Sequence, residues 1–206
     1  PAVNRPAHRR EPSSPSTTED GLRRRFCLFD TDEMHDRPLR DRRAGHGASR
    51  GVGRGIAVEL GDAGATVYVT GRSVSDGTEG LPGTVTETAE LVTERGGEGI
   101  AVRCDHTVDA DVEALFERIE REQGRLDPLV NNVWGGYEEY DETFDDPFWA
   151  QPLDRWDAMF DAGVRARFTA SRLAAPLLFE SDRGLVVATS SGDGAKYRGS
   201  VPTDVV

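Results

Sequence analysis

Several residue types that mark particular classes of protein are scarce in this sequence. Its 206 residues include only two cysteines, Cys27 and Cys104, which stand far apart without Cys-x-x-Cys or Cys/His spacing. This spacing gives no sign of a disulfide framework or a zinc site, so we expect two reduced thiols and no bound metal.

The apolar runs are short, and none reaches the roughly 18 to 20 residues of a membrane-spanning helix. We therefore expect a cytoplasmic protein that does not bind a membrane.

Lysine is almost absent, and the excess of charge is negative. The sequence has one lysine, Lys196, and a formal net charge of −12 at pH 7. Residues 55–206 carry 13 basic and 29 acidic residues, so the excess of arginine is confined to residues 1–54. Because an acidic surface repels polyanions, we expect no nucleic acid partner.

The beginning of the chain differs in composition from the rest. Residues 1–36 mix proline, serine, threonine, arginine and acids without an apolar period. Such a segment cannot bury enough apolar surface to offset the entropy that ordering costs. We expect a disordered basic and polar tail over residues 1–36, followed by one domain over residues 37–206.

From Gly51 onward, strand-like runs alternate with helix-like ones. The strand-like runs are short and apolar, and they cover residues 65–70, 99–103, 126–131 and 185–189. The amphipathic stretches between them cover residues 84–95, 109–123 and 153–178. We expect Pro176 to end or kink the last stretch near residue 174, because its ring clashes with the preceding turn. The alternation predicts an α/β fold with a doubly wound parallel sheet.

A glycine-rich segment opens the first helical run. Residues 47–53 read Gly-Ala-Ser-Arg-Gly-Val-Gly, and the helix-like residues 54–60 follow. Glycines allow a tight turn and a close approach of the backbone to a ligand, and a helix N-terminus offers free N–H groups to a pyrophosphate. Taken alone, the segment has a plain strand-to-helix turn as its default interpretation.

Two more motifs follow in order along the chain. Asn131-Asn132 closes the run 126–131, and Ser190-Ser191 follows the run 185–189. Together with the glycine loop, they make residues 47–206 resemble the short-chain dehydrogenase/reductase family. The resemblance implies a Rossmann-type, three-layer α/β/α fold that is incomplete at its C-terminus. It also implies that Leu129–Asn132 matches the family's Asn-Asn-Ala-Gly segment and that Val186–Ser191 is its catalytic-serine strand.

The resemblance implies a set of cofactor-binding residues. Arg72 stands where NAD-specific enzymes usually place an acid, and Arg50 lies inside the loop, so we expect NADP(H) rather than NAD(H). Either arginine alone is equally well explained as a solvated surface residue. Asp105 is expected to bond the adenine amino group or, alternatively, to cap a turn. The complete set is Gly47, Ser49, Arg50, Gly51, Val52, Gly53, Arg72, Asp105 and Asn131.

The catalytic residues that the resemblance implies are incomplete. Ser191 would hydrogen-bond a substrate carbonyl, with Ser190 as the neighbouring alternative and a turn-forming serine as the simpler explanation. The family's acid/base tyrosine falls at Thr203, whose hydroxyl is too weak an acid near neutral pH. Its lysine falls just beyond Val206, and its helix-four asparagine falls near Gly163. His106 is assigned no role, since a lone histidine is more often an exposed surface residue.

The segment before the glycine loop also departs from the family. A buried apolar strand is expected there, but Asp41–His46 is charged, and burying unpaired arginines inside a sheet is prohibitive. A one-base shift of reading frame converts the family's usual Ala-Leu-Val-Thr-Gly into the Arg-Ala-Gly-His-Gly of residues 43–47. We therefore hypothesise a local frame disruption at this point.

Two functional interpretations stay open. The first is an NADP(H)-preferring oxidoreductase that moves hydride between the nicotinamide and a small-molecule carbonyl or secondary alcohol. The family is usually homo-oligomeric, but its interface helix is incomplete here. The second, favoured for the chain as written because of Thr203, is a catalytically inactive dinucleotide binder or a non-functional fragment.

Four aromatic residues either line a substrate pocket above the fourth strand or anchor its loop, namely Trp134, Tyr137, Phe148 and Trp149.

Overall fold

Five parallel strands form one sheet in the order β3-β2-β1-β4-β5. The computed structural model describes the backbone of residues 26–29, and residues 49, 51–74, 83–134, 143 and 146–190. The strands are β1 Phe26–Phe29, β2 Thr66–Gly71, β3 Glu98–Arg103, β4 Pro128–Asn131 and β5 Leu185–Ala188. The strand order reverses between β1 and β4. In open α/β sheets, ligands bind at such a reversal, outside the carboxyl ends of the strands.

Helices connect the strands and cover both faces of the sheet. They are α1 Gly51–Asp62, α2 Val85–Glu94, α3 Asp109–Gln123, α4 Leu153–Phe160 and α5 Ala166–Phe179. A 3₁₀ turn, Phe148–Ala150, precedes α4, and a π-helical turn, Asp161–Arg165, joins α4 to α5. The predicted α/β fold with a doubly wound parallel sheet is therefore confirmed. No helix in these described ranges is long and apolar enough to cross a membrane.

The central strand comes from an unexpected part of the chain. β1 pairs with both neighbours, and its Leu28 stands opposite Tyr68 of β2 and Leu129 of β4. It lies inside the segment that was predicted to be a disordered tail, so the structure differs from that prediction at these four residues. A central parallel strand calls for apolar residues on both faces, which Phe-Cys-Leu-Phe supplies. The charged segment Asp41–His46 lies outside the described residues.

The layer formed by α1 and α2 packs closely against the sheet through small residues. Its core combines alanines and valines from helices and strands, namely Ala57, Ala65, Val67, Val69, Val85, Ala89, Val92 and Val130. A Cβ atom added at Gly61 would lie 2.8 Å from the carbonyl oxygen of Val92, and one added at Gly99 would overlap the carbonyl group of Ala89. Glycine is therefore required at both positions for the helix backbone to approach its neighbours.

The layer formed by α3 and α5 fills the opposite face of the sheet with larger side chains. Its core includes Tyr68, Val112, Leu115, Phe116, Ile119, Leu126, Leu129, Leu177 and Leu178. The alternation along β2 assigns Val67 and Val69 to the first layer and Tyr68 to the second. The Tyr68 hydroxyl donates to Glu122 Oε2 at 2.7 Å and accepts from Gln123 Nε2 at 2.9 Å, which ties β2 to α3.

Local sequence signals explain where several helices begin and end. A capping box starts α2, because the Thr84 side chain accepts from the Glu87 N–H and the Glu87 side chain accepts from the Thr84 N–H, both at 3.0 Å. Gly124 ends α3 with a φ of 70°, a left-handed conformation that suits glycine.

Pro176 was expected to end or kink the last helix near Ala174 or Ala175, and the first alternative is wrong because α5 continues to Phe179. Proline has no N–H to donate to the residue four positions earlier and its ring crowds that carbonyl, which here belongs to Arg172. Both residues are on the exposed side of the helix, so solvent can satisfy the Arg172 carbonyl.

Candidate functional site

The N-terminus of α1 lies at the carboxyl edge of the sheet. α1 ends three residues before β2 begins, so its last turn is at the amino edge and its first turn is at the opposite edge. Gly51 opens the helix with a φ of 54°, in the left-handed region that favours glycine. Ser49 and Gly53 are buried, whereas Val52 is exposed. The first turn therefore combines a glycine-dependent bend with unpaired helical N–H groups, which suits a phosphate.

A second group of polar residues follows the ends of β2 and β3. The Oδ1 atom of Asp105 accepts from the Thr107 N–H at 3.0 Å and from the Thr107 hydroxyl at 2.7 Å. Burial raises the pKa of Asp105, but these hydrogen bonds and the nearby Arg72 guanidinium outweigh it, so the pKa lies below its usual value. Asp105 thus forms the local turn that was the alternative expectation, and it is a carboxylate near neutral pH.

His106 is buried rather than exposed. Its Nε2 atom lies 2.9 Å from the hydroxyl oxygen of Thr70, the penultimate residue of β2. The expectation of a surface histidine is therefore wrong, because Thr70 at the end of the neighbouring strand offers the ring a polar partner. The signal available in the sequence was its position three residues after β3, at the carboxyl edge of the sheet where the ends of adjacent strands meet.

Two asparagines close β4 at the topological switch. Asn131 and Asn132 are both buried, and Asn131 Nδ2 donates to the Ser171 hydroxyl at 3.0 Å. Asn131 Oδ1 and both side-chain polar atoms of Asn132 have no hydrogen-bond partner among the described residues. A buried polar atom without a partner costs about 1–3 kcal/mol, so these amide atoms are suited to bonding a ligand or ordered water. Sequence reasoning had not singled out Asn132 as a site residue.

One face of the last helical segment holds the chain that follows β4. Arg167 donates from Nε and Nη2 to the carbonyl oxygen of Val133, at 3.1 Å and 2.8 Å. Trp134 lies beside Gly163, where an added Cβ atom would lie 3.7 Å from the indole Cδ1 atom. With the bond from Asn131 to Ser171, these contacts fix the direction in which the chain leaves the sheet.

A buried arginine supports the segment before α4. Arg155 is 1% exposed, and it donates from Nη1 to Gln151 Oε1 at 3.0 Å and from Nη2 to the Thr143 hydroxyl at 3.3 Å. The Gln151 side chain in turn donates to the carbonyl oxygen of Asp146 at 2.8 Å. Trp149 is 72% exposed, which favours surface placement over lining a pocket. The buried role of Arg155 was not evident from its position in an amphipathic stretch.

The structure brings part of the implied site to one edge of the sheet. Ser49, Gly51 and Gly53 lie at the start of α1, Arg72 and Asp105 follow β2 and β3, and Asn131 ends β4. Ser190 follows β5 and is exposed, and the Thr189 N–H donates to the Asn131 carbonyl oxygen at 3.0 Å. Gly47, Arg50, Ser191 and Thr203 lie outside the described residues, as does Tyr137. Within the described ranges, no cluster of three or more His, Cys, Asp or Glu side chains could hold a metal ion.

A family model described as short chain dehydrogenase matches residues 46–203, which is most of the chain. The chain belongs to this family. Dehydrogenase/reductase SDR family member 1 of Mus musculus is 40% identical over 160 residues, covering 77% of this chain and 49% of that protein. A 3beta-hydroxysteroid dehydrogenase of Mediterraneibacter gnavus is 30% identical over 152 residues, covering 73% and 49%. The chain thus spans about half the length of the curated short chain dehydrogenases that it matches.

Solved structures of short chain dehydrogenases share this fold. A metagenomic short-chain oxidoreductase in complex with NADP has a TM-score of 0.67 at 24% identity, covering 87% of this chain and 67% of that one. The NADH-dependent reductase A1-R′ complexed with NAD has a TM-score of 0.66 at 18% identity, covering 91% and 69%. At these identities the likeness shows the fold alone, and one neighbour is an NADP complex while the other is an NAD complex.

The residues at the carboxyl edge fit the dinucleotide that this family binds. The first turn of α1 offers N–H groups behind a glycine with positive φ, as a pyrophosphate needs. The buried amide atoms of Asn131 and Asn132 stand at the switch point, where the rest of an extended dinucleotide would pass. The N–H donors, the guanidinium and the amides at this edge are therefore compatible with binding a phosphate and a ribose.

Proposed function

We propose that this chain binds NADP(H) in the crevice outside the carboxyl ends of its strands. The first turn of α1 would hold the pyrophosphate, and Arg72 with Arg50 would neutralise the 2′-phosphate. The ionised Asp105 would accept from the adenine amino group. The observation that carries the proposal is Gly51, which opens α1 with positive φ at the edge of the sheet where the strand order reverses.

The family chemistry proposed for this crevice is hydride transfer between the nicotinamide and a carbonyl or secondary alcohol of a small molecule. The bound cofactor supplies the hydride or accepts it. Ser191, or its neighbour Ser190, would orient the reacting oxygen by a hydrogen bond from its hydroxyl. A proton must then be gained or lost at that oxygen, and the residue proposed for this position is Thr203.

Thr203 favours a second function, cofactor binding without turnover. A threonine hydroxyl exchanges protons far too weakly near neutral pH to act as a general acid or base. We expect the chain to form no NADPH from NADP⁺ with a panel of secondary alcohols. Binding of NADPH by a folded native chain that gives no turnover would support this proposal, whereas turnover in the native chain would overturn it.

The test of cofactor binding compares NADPH and NADH on the purified chain. Emission of the reduced nicotinamide rises when it leaves water, so titration followed by cofactor emission gives an affinity without relying on turnover. Circular dichroism of the same sample establishes that the chain is folded. Saturable binding that is tighter for NADPH is expected, and equal affinity for the two cofactors would contradict the NADP preference. A folded chain that binds neither would overturn the proposal.

A variant at Arg72 sharpens this test. A charge-assisted hydrogen bond contributes about 1.5–3 kcal/mol, so Arg72→Ser should weaken NADPH binding by about 10- to 100-fold. NADH lacks the 2′-phosphate, and its affinity should change little. Arg183→Ser is the matched control, because Arg183 is exposed in the turn before β5, at the amino edge of the sheet. Equal losses of NADPH affinity in the two variants would indicate a general effect of charge.

A further inference from the structure

Trp134 and Gly163 form a pair beside the proposed cofactor crevice. Trp134 is half-buried three residues beyond the end of β4, and Gly163 is buried in the π-helical turn Asp161–Arg165. The indole Cδ1 atom is the nearest atom that a Cβ at Gly163 would meet, at 3.7 Å. The indole therefore lies against the position where any other residue would place its side chain. Helical π-turns occur frequently at functional sites.

The position of Trp134 is fixed by the backbone that leads to it. Residues 131, 133 and 134 lie beside Ser171, Arg167 and Gly163, which are spaced four residues apart along the helical segment. The first two of these pairs are joined by hydrogen bonds, just before the indole in the chain. These hydrogen bonds hold the backbone from which the indole extends, and the ring lies beside Gly163 as a result.

The order of the proposed subsites places one end of the cofactor beside this wall. The pyrophosphate subsite is at the start of α1, and Arg72 and Asp105 follow β2 and β3 on one side of it. In the strand order, β4 and β5 lie on the other side of β1. A dinucleotide with its adenine half over β2 and β3 must therefore extend its nicotinamide half over β4, where Asn131, Asn132 and then Trp134 follow.

We propose that Trp134 forms a wall of the nicotinamide subsite, and that glycine at position 163 provides the space in which its indole is seated. The inference rests on the proposed binding of NADP(H). It assigns to the pair a positioning role, since the indole limits the orientations open to the nicotinamide ring. The oxidised ring carries a positive charge, and a cation over the face of an indole is attracted by the π-electrons.

The test uses the oxidised cofactor as a contact quencher of indole fluorescence. NADP⁺ does not accept excitation energy from indole over distance, so it quenches strongly only when its nicotinamide ring touches the indole. We expect NADP⁺ to quench the native chain and to lose most of this quenching in Trp134→Phe. Trp149→Phe is the control, because the Trp149 side chain is 72% exposed, and it should keep the quenching.

Variants at Gly163 test the space that the indole occupies separately from its contact with the nicotinamide. Gly163→Ala should keep the quenching, because its Cβ would make an ordinary contact with the indole at 3.7 Å. Gly163→Asn extends further toward the ring and should displace it, reducing the quenching while leaving the circular dichroism spectrum unchanged. If Gly163→Asn unfolds the chain, the comparison of native protein, Gly163→Ala and Trp134→Phe still decides the proposal.

The outcomes distinguish this inference from the function on which it rests. In each variant, emission of added NADPH measures cofactor binding independently of the indoles. If a folded native chain does not bind NADPH, both proposals are wrong. If NADPH binds and NADP⁺ quenches Trp134→Phe as strongly as the native chain, the cofactor proposal stands and the role of Trp134 is refuted. Loss of quenching in Trp134→Phe with NADPH binding retained supports both.

Discussion

The two helical layers of this fold cover the same sheet by different means. The α1–α2 layer brings the backbone of α2 against α1 at Gly61 and against β3 at Gly99, and neither position leaves room for a Cβ atom. The α3–α5 layer is filled by larger side chains, among them Leu115, Phe116 and Ile119. The stability of the α1–α2 layer should therefore be most sensitive to added atoms, and that of the α3–α5 layer to removed atoms.

The largest effect is expected in the α3–α5 layer, where Ile119→Ala removes a fully buried side chain. The lost apolar contact and the remaining cavity should lower the free energy of unfolding by about 2–5 kcal/mol. Urea denaturation followed by circular dichroism measures the change. Leu153→Ala serves as the control because Leu153 is 82% exposed, and it should be nearly neutral. Similar losses in the two variants would refute the distinction between core and surface.

In the α1–α2 layer the corresponding change adds an atom. Gly99→Ala places a Cβ against the Ala89 carbonyl group, and the strand and α2 must separate to accept it. We expect a loss of about 1–3 kcal/mol, or more, from the same denaturation experiment. Gly55→Ala is the matched control, since a Cβ there would have open space in α1 and should stabilise by about 0.5–1 kcal/mol. A stabilising Gly99→Ala would contradict the close packing described here.

The α3–α5 layer also carries a buried phenol that should respond to alkaline pH. Burial raises the pKa of Tyr68 to about 12, with a smaller contribution from Glu122. The folded state therefore holds the phenol proton more tightly than the unfolded state, whose tyrosine titrates near 10. The protonated phenol therefore contributes to the free energy of unfolding. Its contribution is fully present below pH 10 and is lost between about pH 10 and 12, by up to about 1.4 kcal/mol per pH unit.

Denaturation midpoints across this alkaline range should fall more steeply in the native chain than in Tyr68→Phe. The phenylalanine variant keeps the ring in the core but has no hydroxyl to ionise. It also loses the hydrogen bonds to Glu122 and Gln123, so it should be less stable than the native chain at neutral pH. If the midpoints of the two proteins fall equally steeply with pH, ionisation of Tyr68 does not destabilise the folded state.

The smallest effect is expected in the α1–α2 layer at the start of α2. Thr84→Ala removes the hydroxyl that accepts from the Glu87 N–H and should cost about 1 kcal/mol. Thr84→Ser keeps that acceptor and provides the control. Thermal unfolding of both variants measures the difference, and equal melting temperatures would show that the capping box contributes little.

Sequence patterns located the repeating elements of this fold well. The amphipathic stretch 109–123 coincides with α3 at Asp109–Gln123, and the run 99–103 differs from β3 by one residue. α3 packs one apolar side against a core, and β3 places Ile100 and Val102 against one core and Ala101 against the other. The spacing of the apolar side chains therefore indicates both elements. The single stretch 153–178 is divided into α4, a π-helical turn and α5, because one extra residue in a turn hardly changes an apolar period.

Features that depend on distant contacts were not predictable in this way. Phe26–Phe29 is a short apolar run among charges, and only its pairing with β2 and β4 marks it as a strand. Arg155 and Asn132 are polar residues whose burial depends on how other segments fold over them. The glycine loop and the asparagines could be placed at one edge, because parallel strands bring their carboxyl ends together.

The pairing of β1 bears on the order in which the chain folds. Leu28 stands opposite Tyr68, forty residues away, and opposite Leu129, about a hundred residues away. The entropy lost in closing a loop grows with its length, and long-range strand pairing is correspondingly slow. The other strand pairs are closer in sequence, since β2 and β3 stand about thirty residues apart and β4 and β5 about sixty. The β1–β4 pair therefore has the longest loop to close, and the two sides of the finished sheet are expected to join last between these two strands.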